Sequence, residues 1–435
     1  MRGEVPVVVG RDRVLDAVRA FALLSVVFIH AAAWDLSSGT AASALDVRPD
    51  VVWATWLLQV VPLFFTAGGA TNLLSWGRHP DVADYLRRRV LRLGAPGLVY
   101  AGTWTAVLLP LALVPVLADD AVVAGRFLAQ LLWFLGVYAL VTTAVPWTSR
   151  WAVRPALTVS AWLAAIVAVD AARWNLHPGL GWLNLLLVWG FLHQLGYHLP
   201  AMRAAGMRRT LPLAAVSLAA AVALAVAGPY STALTTRAGD PEPSNLSPPT
   251  LVIALYGTAL ALAVAAAWPA LHRALSHDRA YLAVAAFGAR AVGVYLWHIP
   301  VMTVAVGLVW LLGAAPRPFG VGWWALHLTV FAVVLAVALP LAGLAGRVDA
   351  AARARAATWA RRSVPALPCA VGVGAGLLAM NLIGFGTWWG GSQIGLQSSA
   401  LLNLAVLAGS LWGLAVGGSP APGAVPVAPS VDAES

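Results

Sequence analysis

Long apolar segments recur along this chain and limit the folds that it can adopt. Each is long enough to cross a bilayer as a helix, which takes about 20 residues, and in lipid only a helix or a closed barrel pairs its own backbone groups. Of the 435 residues, 60% are hydrophobic and 10% charged, whereas soluble domains carry about 25% charged residues. The sequence therefore predicts an all-α, polytopic transmembrane helical bundle. The twelve predicted spans lie at about 14–34, 51–74, 93–115, 124–147, 156–173, 180–199, 211–228, 250–270, 285–312, 321–345, 366–387 and 398–418.

The predicted organisation has three parts. Residues 1–345 contain ten core spans, residues 346–418 add a C-terminal pair of spans, and residues 419–435 form a disordered tail. All 27 basic residues are Arg, and they concentrate in alternate loops. Because basic loops stay in the cytoplasm, both termini are predicted to be cytoplasmic. The net charge of +10 then reflects topology and not nucleic-acid binding.

The first span carries two polar residues that share a helix face. Arg19 and His30 are eleven residues apart, which is about three helical turns and roughly 16 Å along the axis. Asp16 falls near the same stripe, one turn before Arg19. Ionisable groups within a span are costly and usually mark a functional path. The alternative is an Arg that reaches the interface and a structural His.

The second span has a polar and small-residue pattern. Gly68 and Gly69 would let a helix or a ligand approach the backbone closely. The amides of Gln59 and Asn72 need partners inside the bundle. Together with Phe64 and Phe65, these residues are predicted to form a pocket or a helix-packing surface. Ordinary packing of small residues would also explain the pattern.

Two further segments suggest binding of a donor substrate. Arg88, Arg89 and Arg92 lie at helical spacing beside the predicted cytoplasmic surface, and guanidinium groups pair well with phosphate. The alternative is a topology anchor that contacts lipid headgroups. In the ninth span, Tyr295 precedes His298 by about one turn. A membrane His of this kind could instead donate a hydrogen bond between helices.

Five short patterns, in this order, resemble those of the acyltransferase-3 family of polytopic membrane acyltransferases. The family's Arg-Leu-Asp-x-x-Arg-x-x-Ala pattern, followed by His, corresponds to residues 14–22 and His30. The other four patterns are Pro-Leu-Phe-Phe-x-x-Ser-Gly, Arg-x-x-Arg, Leu-Trp-Phe-Leu and Tyr-Leu-x-His. They correspond to residues 62–69, 89–92, 132–135 and 295–298. The resemblance extends from residue 11 to about 345, and the version of the second pattern is similar to an actinobacterial-type subgroup.

The resemblance implies an enzyme of the bacterial plasma membrane that moves an acyl group from acyl-CoA to a hydroxyl. The acyl group would be short, most simply acetyl, and the acceptor would contain a sugar. His30 would be the catalytic base, since burial can keep its imidazole neutral. Arg19 would stabilise the thioester carbonyl or help to orient His30, with Asp16 beside them. The predicted donor site consists of Arg88, Arg89, Arg92, Tyr295 and His298.

Acyl-CoA is expected as a co-substrate, with no permanently bound cofactor and no metal. The expected partners are the lipid bilayer and a saccharide-containing acceptor. Two alternatives stay open from the sequence. Twelve spans with both termini inside also fit a secondary transporter or exporter. Gly68 stands where the family usually has Ser, which also allows a catalytically inactive member.

Overall fold

The computed structural model describes residues 12–39, 42–78, 80–235, 244–358, 362–392 and 395–417. The predicted tail, 419–435, lies outside the described residues. The helices are α1 Arg13–Ala32, α2 Ala44–Val47, α3 Ala54–Leu58, α4 Val61–Arg78, α5 Val82–Leu111, α6 Ala118–Ala129, α7 Leu132–Thr143, α8 Val145–Thr148, α9 Pro155–Asn175, α10 Asn184–Leu195, α11 Leu199–Ala205, α12 Met207–Ala227, α13 Leu251–Ala274, α14 Asp278–Gly288, α15 Ala291–Leu311, α16 Val321–Ala357, α17 Ala366–Ile383 and α18 Ala400–Val416. Two short antiparallel pairs, β1 Trp34–Asp35 with β2 Ala42–Ser43 and β3 Gly390–Gly391 with β4 Gln397–Ser398, complete the fold.

The all-α bundle predicted from the sequence is confirmed. Within the described ranges, eight helices are long and apolar enough to cross a membrane, or nine if α6 and α7, bent by 42°, form one span. Each of the twelve predicted spans contains a helix. However, α10 has 12 residues and α18 has 17, so twelve full crossings stay a prediction. We call the end of the bundle that carries Arg13 the inner end, because the arginine pattern predicts it to be cytoplasmic, and the opposite end the outer end.

Three helices differ from the predicted boundaries at the inner end. Helix α16 continues to Ala357, past the predicted end of its span at residue 345. Helix α5 begins at Val82, where the Asp81 side chain accepts a hydrogen bond from the Asp84 backbone N–H. The predicted start was residue 93, so the arginine cluster belongs to the helix of the third span and not to the loop before it. Helix α14 was not predicted. It precedes α15 directly and packs against α1.

The C-terminal pair of helices shares the main apolar core. Leu377 of α17 and Leu407 of α18 are fully buried, in the same cluster as Leu23 and Val27 of α1. Both helices pack against α5, and α17 also packs along α7.

Helix α4 lies unusually close to α10, and two glycines make this possible. A Cβ atom on Gly69 would overlap the backbone carbonyl oxygen of His193. A Cβ atom on Gly196, just after α10, would overlap the carbonyl oxygen of Thr66. A Cβ atom on Gly68 would overlap the Tyr138 hydroxyl of α7. The small residues of the second span therefore serve close packing of α4 against α10 and α7.

Candidate active site

The two histidines singled out in the sequence meet in the bundle, although 268 residues separate them. The Nδ1 atom of His30, on α1, lies 2.8 Å from the Nε2 atom of His298, on α15. The two rings are nearly parallel, with an interplanar angle of 15°. His298 is fully buried, whereas His30 is partly exposed. The pair thus has a closed side at His298 and an accessible side at His30.

The hydrogen-bond partners fix the positions of the ring protons. The Nδ1 atom of His298 lies 2.7 Å from the carbonyl oxygen of Tyr295, which can only accept, so this nitrogen carries a proton. In the neutral ring, Nε2 of His298 is then an acceptor and receives the Nδ1–H of His30. His30 is left with an unprotonated Nε2. A base whose second nitrogen is held by a neighbouring group is the arrangement that proton-abstracting sites use.

The pair lies within the span. His298 is seven residues from the start of α15 at Ala291 and thirteen from its end at Leu311, which is about 10 Å and 20 Å of helix, respectively. His30, in contrast, is seventeen residues from the start of α1 at Arg13 and two from its end at Ala32, so the pair lies near the outer end of α1.

Arg19 does not reach His30. The two residues share the face of α1 that the spacing predicted, but roughly 16 Å of helix separates them. Within the described part of the chain, the Arg19 guanidinium has no hydrogen bond, ion pair or ring contact, and its residue is partly exposed. A cation of this kind is available to an anionic ligand closer to the inner end than the histidines.

Asp16 contacts α14 at the inner end. The Tyr281 hydroxyl of α14 donates a hydrogen bond of 3.1 Å to the Asp16 carboxylate. One turn earlier, the Arg13 guanidinium forms an ion pair of 3.0 Å with Asp278. Asp16 is fourteen residues from His30, about 21 Å of helix. The structure does not bring Asp16 to the histidines, and its visible role is to join α1 to α14.

The three arginines predicted to bind the donor point in different directions. Arg88 is exposed and forms an ion pair of 2.8 Å with Asp84, and Arg92 is also exposed. Arg89 turns inward, where its Nε donates a hydrogen bond of 3.0 Å to Asn72 Oδ1 and its Nη2 donates to the same oxygen. Arg89 therefore contacts the buried Asn72 in the interior of the bundle.

Asn72 links Arg89 to a second buried polar cluster. The Asn72 amide nitrogen lies 3.0 Å from Thr142 Oγ1 and 3.0 Å from His193 Nε2. In the described ranges no carboxylate pairs with Arg89, so its positive charge is balanced by no acidic partner. His193 was missed in the sequence. It satisfies the criterion that singled out His30 and His298, because it is an ionisable residue within a predicted span.

An aromatic layer joins the patterns that the sequence separates. Phe64 and Phe65 of α4 contact Phe134 of α7 edge to face, with ring centroids 5.5 Å and 5.3 Å apart. Phe134 also lies 5.1 Å from the ring of Tyr295, one turn before His298. Residues 62–69, 132–135 and 295–298, which carry the second, fourth and fifth sequence patterns, therefore pack into one aromatic layer beside the histidine pair.

The break between α6 and α7 is held by side chains from three other helices. Tyr295 of α15 donates a hydrogen bond of 2.7 Å to the carbonyl oxygen of Leu131. Tyr100 of α5 donates one of 2.8 Å to Leu128, and the Asn381 amide of α17 donates one of 3.2 Å to Ala129. Broken helices persist in membranes where the freed carbonyls find such donors. The Tyr295 hydroxyl, predicted to bind the donor, is thus engaged with backbone.

Gln59 lies away from the histidines. Its amide nitrogen donates a hydrogen bond of 3.0 Å to the carbonyl oxygen of Leu234, in the outer loop that precedes α13. This contact anchors the loop to the start of α4. Among the described residues, no group of three or more His, Cys, Asp or Glu could hold a metal ion.

Comparison with known families gives this arrangement a context. The family model of acyltransferase-3, described as an acyltransferase domain, matches residues 12–343, more than half of the chain. The chain belongs to the acyltransferase-3 family. The matched region contains His30, His298 and Arg19, while α17 and α18 lie outside it. No curated protein and no solved structure matches the chain significantly. This acyltransferase-3 member is a multi-pass membrane protein, and the match supports group transfer and not the alternative of a transporter.

Proposed function

We propose that the protein moves a short acyl group, acetyl in the simplest case, from acyl-CoA to a hydroxyl of a saccharide-containing acceptor. The observation that carries the proposal is the His30–His298 pair, in which Nε2 of the partly exposed His30 is left unprotonated. The family gives acyl transfer as the reaction class. The short acyl group, the saccharide acceptor and the bacterial plasma membrane rest on the family resemblance of the sequence.

The proposed step needs only this base. His30 Nε2 takes the proton of the acceptor hydroxyl while the hydroxyl oxygen attacks the thioester carbonyl carbon. The carbon–sulfur bond then breaks, the new ester bond remains, and the proton on Nε2 passes to the departing CoA sulfur. During the step His30 becomes positively charged, which strengthens its Nδ1–H hydrogen bond to His298. His298 therefore positions His30 and stabilises its charged form.

Arg19 fits the phosphate end of the donor better than the thioester end. The pantetheine arm of CoA is equivalent to about four residues of extended chain, or roughly 14 Å. The distance along α1 from Arg19 to His30 is similar, roughly 16 Å. With the thioester at His30, the CoA phosphates would lie near Arg19 at the inner end. Arg89, which pairs with no carboxylate among the described residues, is a second candidate for a phosphate contact.

The test uses purified protein in lipid nanodiscs with labelled acetyl-CoA and a mixture of saccharide acceptors. Wild-type protein should release CoA and form a labelled acetyl ester. His30→Ala should lower this rate about 10²–10⁴-fold, the usual contribution of a general base. His272→Ala is the matched control, because His272 is an exposed histidine at the inner end of α13. If the wild-type protein consumes no acyl-CoA, or His30→Ala keeps full turnover, the proposal is wrong.

A further inference from the structure

An open groove lies at the inner end of the bundle between α14, α15 and α16. Its volume is about 440 Å³, and its lining consists of five apolar residues and one cation, namely Ala283, Ala286, Phe287, Leu339, Pro340 and Arg290. The opposite face of α14, by helical spacing, carries Asp278 and Tyr281, which contact α1. Helix α14 is therefore held by protein on one face, while its other face borders the groove.

Arg290 supplies the positive charge of the groove. The residue is exposed, and its Nη1 donates a hydrogen bond of 3.1 Å to the carbonyl oxygen of Ala286. A Cβ atom on Gly343 of α16 would lie 3.7 Å from Arg290 Nε, so the Arg290 side chain lies along α16. Within the described ranges, Arg290 forms no ion pair. Its guanidinium therefore keeps N–H groups for an anionic ligand.

The order of residues along α16 matches the polarity of a phospholipid. Helix α16 runs towards the inner end, and Pro340, Gly343 and Arg347 lie on one face at positions i, i+3 and i+7. Arg347 is exposed and lies about 10 Å of helix beyond Pro340. The predicted inner end of this span, residue 345, falls between Gly343 and Arg347. The apolar part of the groove thus lies at the depth of acyl chains, and the two arginines lie near the depth of lipid phosphates.

The charges around the groove favour an anionic lipid over a zwitterionic one. The lining residues include no carboxylate, and the acidic residue of α14, Asp278, already forms an ion pair of 3.0 Å with Arg13. A zwitterionic headgroup would bring its ammonium group close to Arg290 without a carboxylate to receive it. An anionic headgroup brings the phosphate without that repulsion, and guanidinium groups pair bidentately with phosphate.

We propose that this groove binds an anionic glycerophospholipid of the inner leaflet, with its phosphate at Arg290 and Arg347 and an acyl chain along α14 and α16. A mostly apolar lining with one charged group is typical of ligand sites, and basic pockets between membrane helices on the cytoplasmic side bind anionic headgroups. The acyl chain would cover the apolar face of α14. The lipid then holds α14 from one side, while Arg13 and Asp16 of α1 hold it from the other. The inference is independent of the proposed acyl transfer.

The test uses phosphatidylglycerol with a photoreactive diazirine in its acyl chain, added to the full-length protein in phosphatidylcholine nanodiscs. After irradiation, mass spectrometry of peptides should find the label on α14 and α16 at the groove. Unlabelled phosphatidylglycerol should compete with this labelling, and added phosphatidylcholine should not. Arg290→Gln and Arg347→Gln should each lower the labelling about fivefold, the effect of one basic residue near a charged membrane surface. Ala283→Trp, at an exposed position of the lining, fills the groove but keeps both arginines and should also lower the labelling.

Arg150→Gln is the matched control, because Arg150 is an exposed arginine of the inner end that does not line the groove, and its replacement should leave the labelling unchanged. Thermal unfolding of each variant checks that it is folded. Full labelling in Arg290→Gln or in Ala283→Trp overturns the site, as does equal competition by phosphatidylcholine. Acetyl-CoA also carries phosphates, so it is added as a competitor. Displacement of the label by acetyl-CoA would assign the groove to the donor and overturn the lipid site.

Discussion

The role of His298 can be tested by two substitutions that differ only in hydrogen bonding. In the structure, His298 Nε2 accepts the Nδ1–H of His30 at 2.8 Å. His298→Gln places an amide oxygen near the position of Nε2 and can still accept this proton. His298→Leu has a similar size and cannot accept it. The pair of variants therefore separates the hydrogen bond from the packing of α15.

The expected loss follows from the charge that His30 gains. A hydrogen bond to a charged group contributes about 1.5–3 kcal/mol, and each 1.36 kcal/mol changes a rate tenfold. His298→Leu should therefore lower kcat about 10- to 150-fold. His298→Gln should stay within about tenfold of wild type, because the amide replaces part of this bond. The loss in either variant should be smaller than that of His30→Ala, which removes the base itself.

The assay is single-turnover acyl transfer at saturating acetyl-CoA in nanodiscs, with thermal unfolding of each variant as a check on folding. The double variant His30→Ala/His298→Leu should be no slower than His30→Ala alone, since residues that act as a unit are not additive. Equal rates for the Gln and Leu variants would refute the orienting hydrogen bond. So would a double variant with the summed loss of both single variants.

Four further predictions concern the donor and the scaffold. Arg19→Gln should raise the KM for acetyl-CoA about 10- to 150-fold, although it removes no hydrogen bond or ion pair among the described residues. Replacing the exposed Arg150, also at the inner end, by Gln should not change this KM. Arg19→Lys should also be impaired, because an ammonium cannot hold two phosphate oxygens as a guanidinium does; wild-type kinetics would show that charge alone suffices. Gly69→Ala should lower the stability of the purified protein in thermal unfolding by about 1–3 kcal/mol or more, because the new methyl group overlaps the His193 carbonyl oxygen. Gly77→Ala is the control and should leave the stability unchanged, because a Cβ atom on Gly77 has nothing within 4 Å. Tyr295→Phe should reduce stability by about 0.6–1.7 kcal/mol and leave the KM for acetyl-CoA unchanged, because the Tyr295 hydroxyl donates its hydrogen bond to the Leu131 carbonyl oxygen. A raised KM for acetyl-CoA would instead support the predicted role of Tyr295 in donor binding.

The residues of the site were easier to predict than their partners. His30 and His298 stand out in the sequence because ionisable side chains are costly within apolar spans. Their contact joins α1 to α15 across 268 residues, and no local periodicity reports which faces of two distant helices meet. Arg89 and Asn72 were also singled out, but only the fold shows that they bind each other.

Other features of the site depend on backbone detail that the hydropathy pattern does not contain. The break between α6 and α7 falls at Gln130 and Leu131, where no Pro or Gly marks it. The role of Tyr295 as a donor to Leu131 could therefore not be predicted. The separation of Arg19 from His30, in contrast, follows from helix geometry alone. That separation did not fit the predicted role of Arg19 at the thioester carbonyl or in orienting His30. The stacking of Trp323 on His327 was not predicted because both residues lie on a helix whose apolar sequence indicates only a membrane span.

The most direct test of the account is the structure of the protein in nanodiscs with bound acetyl-CoA. A hydroxyl must fit between His30 Nε2 and the thioester carbon, so the two atoms should lie within about 6.5 Å of each other, a hydrogen bond plus an attack distance. The CoA phosphates should lie at the inner end, against the Arg19 guanidinium. An acetyl-CoA whose thioester lies more than about 10 Å from His30, or whose phosphates lie at the outer end, would contradict the assignment of His30 as the base.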